Sequence, residues 1–358
     1  MGFFDKIKKT VLGEEMPGKP IMKITMLGAR GVGKTSVLTS MYNNMNTAVN
    51  DTRLHIVADS GTNTVLYKKT DDLKRMFFQG NNIDDEVQSG IAGDSTVSTF
   101  EFEFGMNTER INIGLEIKDY PGEYVRLEPE TVKSYIEESN AVLVAIDTPH
   151  LMEYDGKYNE GKNYTSVITK FFKETINSKS SEKLIMLVPL KCEKYYHNEE
   201  IDDVRDKVKE TYSELLAFLR DKNNSNGLKG KFACAITPIL TVGEIVFDGF
   251  SNVNDTVEET EVNGRAVPKR VNYKYLKAGA VYSPRYCEQP LYYLLSFISK
   301  QYLKMKDEKE SSGLIGKLKK IWSLTPEINE MLIEIQKFSY KKMDNTDGFE
   351  TCFGRGKV

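Results

Sequence analysis

Histidine is nearly absent. The 358 residues hold only His55, His150 and His197, and their spacing gives no support to a three-histidine metal centre. The four cysteines, Cys192, Cys234, Cys287 and Cys352, are scattered and form no Cys-x-x-Cys. That argues against a zinc ribbon or dithiol redox chemistry and suits a reducing cytoplasm. Neither charge dominates: the net charge is −3, so no global basic field points to nucleic acid or to acidic substrates. No run approaches 18 apolar residues, which excludes a membrane-spanning helix. The first residues lack the apolar run and small-residue cleavage site of a signal peptide. They read Met-Gly, but Lys6 stands where the myristoylation pattern requires Ser or Thr. A cytoplasmic location is expected. There is no internal repeat and no low-complexity tract.

What is present is a phosphate cradle. The apolar strand Ile21 to Leu27 runs into Gly28-Ala29-Arg30-Gly31-Val32-Gly33-Lys34-Thr35, and a helical pattern follows from Ser36 to Met45. Strand, Gly-x-x-x-x-Gly-Lys-Thr and helix together are the context a P-loop requires. The glycines let successive N–H groups turn inward on an anion. The helix start adds its positive end. Gly28, Gly31, Gly33, Lys34, Thr35 and Ser36 are therefore expected to hold a nucleoside triphosphate. Lys34 reaches the β- and γ-phosphates, and the Thr35 hydroxyl is a ligand for Mg²⁺.

The rest of the chain reads as an α/β fold with a mostly parallel sheet, buried strands alternating with helices. Phe100, Phe102 and Phe104 alternate with Glu101 and Glu103, and Ile111, Ile113, Leu115 and Ile117 alternate likewise, so two half-buried strands form a hairpin. Ala141 to Ile146 and Leu184 to Leu190 are continuous apolar runs, as for strands covered on both faces. Ile201 to Leu219 reads as one long amphipathic helix, Phe232 to Ile236 as a strand, and Pro290 as the start of a helix. Three segments follow. Residues 1–20 are an amphipathic stretch and linker. Residues 21–304 are the nucleotide-binding domain, with inserts at 46–95 and, rich in β signals, at 243–285. Residues 305–358 are a helical tail whose last part, from Asn345, is expected to be frayed.

Asp119 ends the second hairpin strand and is followed by Tyr120-Pro121-Gly122-Glu123. An acidic residue at this strand end can hold the Mg²⁺ shell, and the Gly122 N–H is open to a γ-phosphate. On the P-loop and this Asp-x-x-Gly, the sequence resembles the P-loop GTPase superfamily. The Asp-Tyr-Pro-Gly-Glu wording resembles its translation-factor-related class. With the long insert before the first switch, the β insert and the run Cys287-Glu288-Gln289-Pro290-Leu291, the likeness narrows to the bacterial double-GTPase group associated with defence or conflict systems. The resemblance covers about residues 21 to 302. It implies a Ras-like fold, GTP and GDP as ligands, and Mg²⁺. It places a second switch at Asp119 and Gly122, and Glu123 where many signalling members carry the water-positioning Gln. Thr96 is the choice for the first-switch Mg²⁺ ligand. The base reader Asn-Lys-x-Asp corresponds here to Leu190-Lys191-Cys192-Glu193, which keeps the Lys, lengthens the acid and loses the Asn. Thr237 is the candidate in the last base-contacting loop. Arg30 in the P-loop either stabilises phosphate charge in cis or faces solvent and an acidic neighbour.

Two functions follow. One is a GTP-dependent switch with slow hydrolysis that regulates a protein partner, with Lys34, Gly122, Glu123 and Arg30 as its catalytic candidates. The other is a nucleotide-bound scaffold without turnover, or an ATPase, given the eroded base reader. The Lys-flanked apolar stripes at 2–12 and 314–322 add a weak peripheral membrane contact as a side expectation.

Overall fold

The computed structural model describes residues 21–49, 53–77, 96–106, 112–262, 264–305, 330–331, 333–335 and 349–354. Both terminal apolar stripes, the acidic loop at 83–93, the hairpin turn at 107–111 and Asn263 lie outside these residues.

The sheet is built from β1 (Ile21–Leu27), β2 (Leu54–Ala58), β3 (Ser98–Met106), β4 (Asn112–Asp119), β5 (Ala141–Asp147), β6 (Lys183–Leu190) and β7 (Phe232–Ile236). An eighth strand closes it from the C-terminal tail. The spatial order runs from that tail strand through β7, β6, β5, β1, β4 and β3 to β2. The five inner strands are parallel, while β3, β2 and the tail strand are antiparallel at the two margins. The hairpin expected from the Phe and Ile alternation is present, with Phe104 opposite Ile113 and Ser98 opposite Asp119.

Alternation along each buried strand feeds two cores, because successive side chains leave opposite faces of a pleated sheet. On one face Ala141, Leu143 and Ala145 of β5 and Leu184, Met186 and Val188 of β6 pack with Val37, Leu38 and Met41 of helix α1 (Lys34–Val49). On the other, Val142, Val144 and Ile146 join Ile185 and Leu187. Covering that second face are helices starting at Pro129, Thr165 and Ile201. The insert at 46–95 contributes β2 and helix α2 (Ser60–Arg75), whose N-cap Asp59 accepts from the Thr62 N–H at 2.8 Å. On the second face lie α3 (Pro129–Glu138) and α5 (Thr165–Thr175), with α4 (Asn159–Asn163) a single turn leading into α5.

Two expectations needed correction. The helix read as continuous over 201–219 is two, α6 (Ile201–Thr211) and α7 (Ser213–Asn224). The join is a kink, since Tyr212 N–H still donates to Val208 and Leu216 N–H to Tyr212. The buried stripe Val204, Val208, Leu215 and Leu219 carries on across it, which is why periodicity alone did not reveal the kink. The tail read as frayed supplies a strand, Glu350–Phe353, paired antiparallel with β7. Its signal is short and flanked by glycine, but the open margin of β7 offers a ladder, and Cys352 and Phe353 pack against the second core.

Residues 243–285 form the β insert. Here β8 (Ile245–Phe250) pairs with a strand at Val271–Tyr275, and between them a hairpin joins β9 (Glu259–Val262) to β10 (Arg265–Pro268). The Val271–Tyr275 strand is β11 and the tail strand β12, and a two-residue pair, Asn252–Val253 with Thr256–Val257, adds a small ladder within the insert. Phe247, Phe250 and Tyr158 give the insert its own small core. Helix α8 (Gln289–Met305) returns to the first face with Leu291, Leu294, Leu295 and Ile298 buried. Met331 and Ile335 of the tail are buried in the same cluster. Among the described residues no helix is long and apolar enough to cross a membrane.

Candidate functional site

The parallel register brings the carboxyl ends of β1, β4, β5 and β6 to one margin of the sheet, with Met26 beside Asp119 and Asp147 beside Leu190. Strands leave β1 in opposite directions at this point, where open α/β sheets bind ligands.

The P-loop spans β1 and α1. Its three glycines, Gly28, Gly31 and Gly33, all have positive φ, of 148°, 72° and 109°, and a Cβ on Gly28 would press on the Ala145 carbonyl. Lys34 is buried and donates to the Gly28 and Ala29 carbonyls at 2.8 and 3.2 Å, so its ammonium caps its own loop. Burial lowers its pKa, with Asp119 and Glu123 opposing. The Thr35 hydroxyl, at the first turn of α1, donates to Asp119 Oδ2 at 2.6 Å. Ser36 follows on α1 beside the cleft described below. Thr96 is exposed two residues before β3, whose Ser98 is registered with Asp119. It therefore stands at the same end of the sheet, without a hydrogen bond to Thr35 or Asp119 among the described residues.

The segment from Asp119 to Glu123 lies against the loop. A Cβ added to Gly122 would collide with the backbone of Ala29 and Arg30, so this contact requires glycine. Glu123 begins a short helix at Tyr124–Leu127, and its Oε1 accepts from Arg30 Nη1 at 2.9 Å. Arg30 thus pairs with an acidic neighbour, and its side chain is 73% exposed.

On the base side the chain turns sharply after β6. Lys191 has φ 61°, and its Nζ donates to the Gly31 carbonyl at 2.9 Å and to Asp147 Oδ2 at 2.7 Å. Burial alone would push Asp147 up; Lys191, His150 and Lys162 hold it well below the usual carboxylate range. His150 Nδ1 lies 2.6 Å from Asp147 Oδ1. Burial would likewise lower the Lys191 pKa, and Asp147 and Tyr273 keep it above the ordinary lysine value. Leu190, where the family Asn stands, packs its methyl beneath Gly33. Glu193 is buried; its Oε1 accepts from the Val242 and Gly243 N–H groups at 2.9 and 3.3 Å. Burial raises its pKa while those amides pull it back. Thr237 is fully buried, its N–H extends the β6–β7 ladder to Leu187, and it is not among the residues that wall the cleft. The cleft beside the P-loop is walled by Ser36, Lys191, Glu193, Thr241, Val242 and Tyr273.

The sequence model of one family, Double-GTPase 2, matches residues 23–227, more than half of the chain and all of the site except the 241–273 wall. The chain belongs to the Double-GTPase 2 family. No curated protein sequence matches it. Among solved structures, the GTP-bound Ski7 GTPase-like domain of S. cerevisiae is similar at 12% identity and TM-score 0.38, over 67% of this chain and 45% of that one. The signal recognition particle receptor SRb-GTP/SRX complex from Chaetomium thermophilum is similar at 13% identity and TM-score 0.35, over 64% and 92%. A Sup35 structure with GDP matches at 11% and TM-score 0.30, over 65% and 40%. The chain spans less than half the length of the Ski7 and Sup35 chains it matches.

Family motifs led to the P-loop, Asp119, Gly122, Lys191 and Glu193, which the fold brings to one place. They did not lead to Tyr273, from the β insert, or to Thr241 and Val242. The alternation of Tyr273 and Tyr275 with Lys274 signals a strand with an aromatic face, but nothing local says what that face covers. The last loop is displaced because the chain stays extended after β7, with Ile239 N–H donating to Pro189. The loop that meets Glu193 therefore begins four residues after Thr237.

Proposed function

We propose that the chain is a GTP-binding switch with slow, Mg²⁺-dependent hydrolysis that regulates a protein partner. One observation carries this reading: Asp119 and Gly122, from one segment, meet Thr35 and Arg30 of the P-loop, so the sensing segment already rests on the loop it must monitor. An arriving γ-phosphate has to part Gly122 from Arg30 or take up its N–H, and either change moves the residues from 119 to 127. That movement is the signal a partner reads.

The residues fit the metal. Thr35 and Asp119 offer hard oxygen donors 2.6 Å apart at the start of α1, the donor set Mg²⁺ prefers beside phosphates. Bound there, the ion would neutralise phosphate charge and complete a shell to which Thr96 is the first-switch candidate. Lys34 would turn from the Gly28 and Ala29 carbonyls to the phosphates. Lys191 would lie along the base while holding Gly31. The Glu193 carboxylate would accept from the guanine N–H and amine, with Tyr273 on the cleft wall. The inserts and the terminal segments are the surfaces offered to the partner, in the defence or conflict setting that the family resemblance implies.

A second reading, binding without turnover, is favoured by the ion pair between Glu123 and Arg30. It leaves the one residue placed to orient water engaged elsewhere. Phosphate release from GTP, with and without Mg²⁺, separates the two. Release that requires Mg²⁺ and is lost in Lys34→Ala supports the switch; GTP binding with no release supports the second reading; no GTP binding refutes both.

A further inference from the structure

Lys162 is a cation at the P-loop that neither family motif nor insert explains. It sits on α4, after β5, and its Nζ reaches the loop to donate to the Arg30 carbonyl at 2.8 Å. A Cβ on Gly31 would lie 3.5 Å from it. Among the described residues no carboxylate is within ion-pair distance of this ammonium. The nearby acids are engaged: Asp147 by Lys191 and His150, and Glu123 by Arg30. Its charged neighbours are Asp147, which acts on it most strongly, and Lys191, Lys34 and Arg30, all three of its own sign. Burial brings its pKa down to about 8; Asp147 opposes that, and the three cations add to it.

This placement is built. Asn163 accepts from the Asp147 N–H at 2.8 Å and donates back to the Asp147 carbonyl at 3.1 Å. It also donates to Asn159 at 2.9 Å, and Asn159 donates to Thr165 at 3.0 Å. Gly161 lies so close to Val267 of β10 that a side chain there would meet it at 2.5 Å. A network of buried amides and a glycine thus hold one helical turn where its lysine meets the P-loop, among Asp147, Lys191, Lys34 and Arg30. Three of these four charges share its sign, and an anion in the cradle would draw those three and Lys162 alike.

We propose that Lys162 is a phosphate-contacting residue of this site, supplied in cis to the terminal phosphate of the bound triphosphate. The assignment rests on the GTP-binding reading above. The terminal phosphate is indicated because Arg30, whose carbonyl Lys162 holds, is also the residue against which Gly122 packs. Arg30, the cation that the sequence puts forward for this role, is exposed and paired with Glu123, so the task falls to Lys162.

The test uses the full chain with Lys162→Met, Lys162→Arg and Lys34→Ala, equilibrium binding of fluorescent GTP and GDP, and thermal melts without nucleotide. Lys162→Met is expected to give a cooperative melt when free, which shows that the variant used for binding is folded. Its GTP affinity is expected to fall about 10- to 100-fold, the scale of a charge-assisted hydrogen bond, with GDP affinity changing less than about threefold. Lys162→Arg, which keeps the charge, is expected to retain most of the GTP affinity. Equal losses for GTP and GDP, an unchanged GTP affinity, or an Arg variant as weak as the Met variant each overturn the assignment. Failure of the underlying reading looks different: wild type would then be indistinguishable from Lys34→Ala.

Discussion

Asp147→Asn isolates what holds the base side of the site to its phosphate side. Asp147 has no exposed surface and meets three donors: Lys191 Nζ at 2.7 Å, His150 Nδ1 at 2.6 Å and the His150 N–H at 3.3 Å. Asparagine keeps the volume but removes the charge that Lys191 answers. Breaking a buried ion pair from one side costs about 3–5 kcal/mol. The Lys191 side chain is 23% exposed, so water relieves part of the loss and the lower end applies, about 3 kcal/mol. At about 2–4 °C per kcal/mol for a domain of this size, the melting temperature should fall by about 6–12 °C. The Asp147→Asn, Lys191→Met double variant should recover part of that, since the orphaned charge leaves with its partner. The acid limb should change as well. Asp147 is held below its unfolded pKa, so its stabilisation is present above that unfolded value and lost as pH falls through the folded one. Asp147→Asn should flatten this limb in melts between neutral pH and pH 3. A loss under about 1 kcal/mol, or no recovery in the double variant, would refute the reasoning.

Two further outcomes follow. Gly122→Ala places a methyl into the Ala29–Arg30 backbone, and overpacking of this kind costs about 1–3 kcal/mol; melts of the free protein should show it, and a neutral substitution would mean that the switch does not rest on the loop. Glu193 is raised above its unfolded pKa by burial, so its contribution to stability is present at low pH and lost as pH rises through the raised value. GTP affinity should move the opposite way, weakening as pH falls and the carboxylate is protonated, and Glu193→Gln should be weak throughout; a Gln variant with wild-type affinity and pH profile would remove Glu193 from the base pocket.

Much of the fold was legible because its signals are local. A strand buried on both faces is a continuous apolar run, as at Ala141 to Ile146, and a half-buried one alternates, as at Phe100 to Phe104. The cradle was legible for the same reason, since Gly28 to Thr35 carry their own backbone requirement. The remainder depends on contacts between distant segments. Tyr273 lines the cleft because a strand from the insert folds over Lys191, 82 positions earlier in the chain. Lys162 was passed over because a lysine on a short polar stretch looks solvated until the Asn163 network shows where it is aimed. The tail strand at Glu350 to Phe353 exists through the open margin of β7, which no property of those four residues announces.

The central claim is that this cradle, with its altered base reader, binds a guanine nucleotide. Competition of GTP, GDP, ATP and ADP for the wild-type protein tests it most directly, since a site whose buried carboxylate reads donors on the base rejects a ring that lacks them. The expected result is displacement by GTP and GDP at concentrations at least about 100-fold below those of ATP and ADP. Equal displacement by adenine nucleotides, or a preference for them, would contradict it.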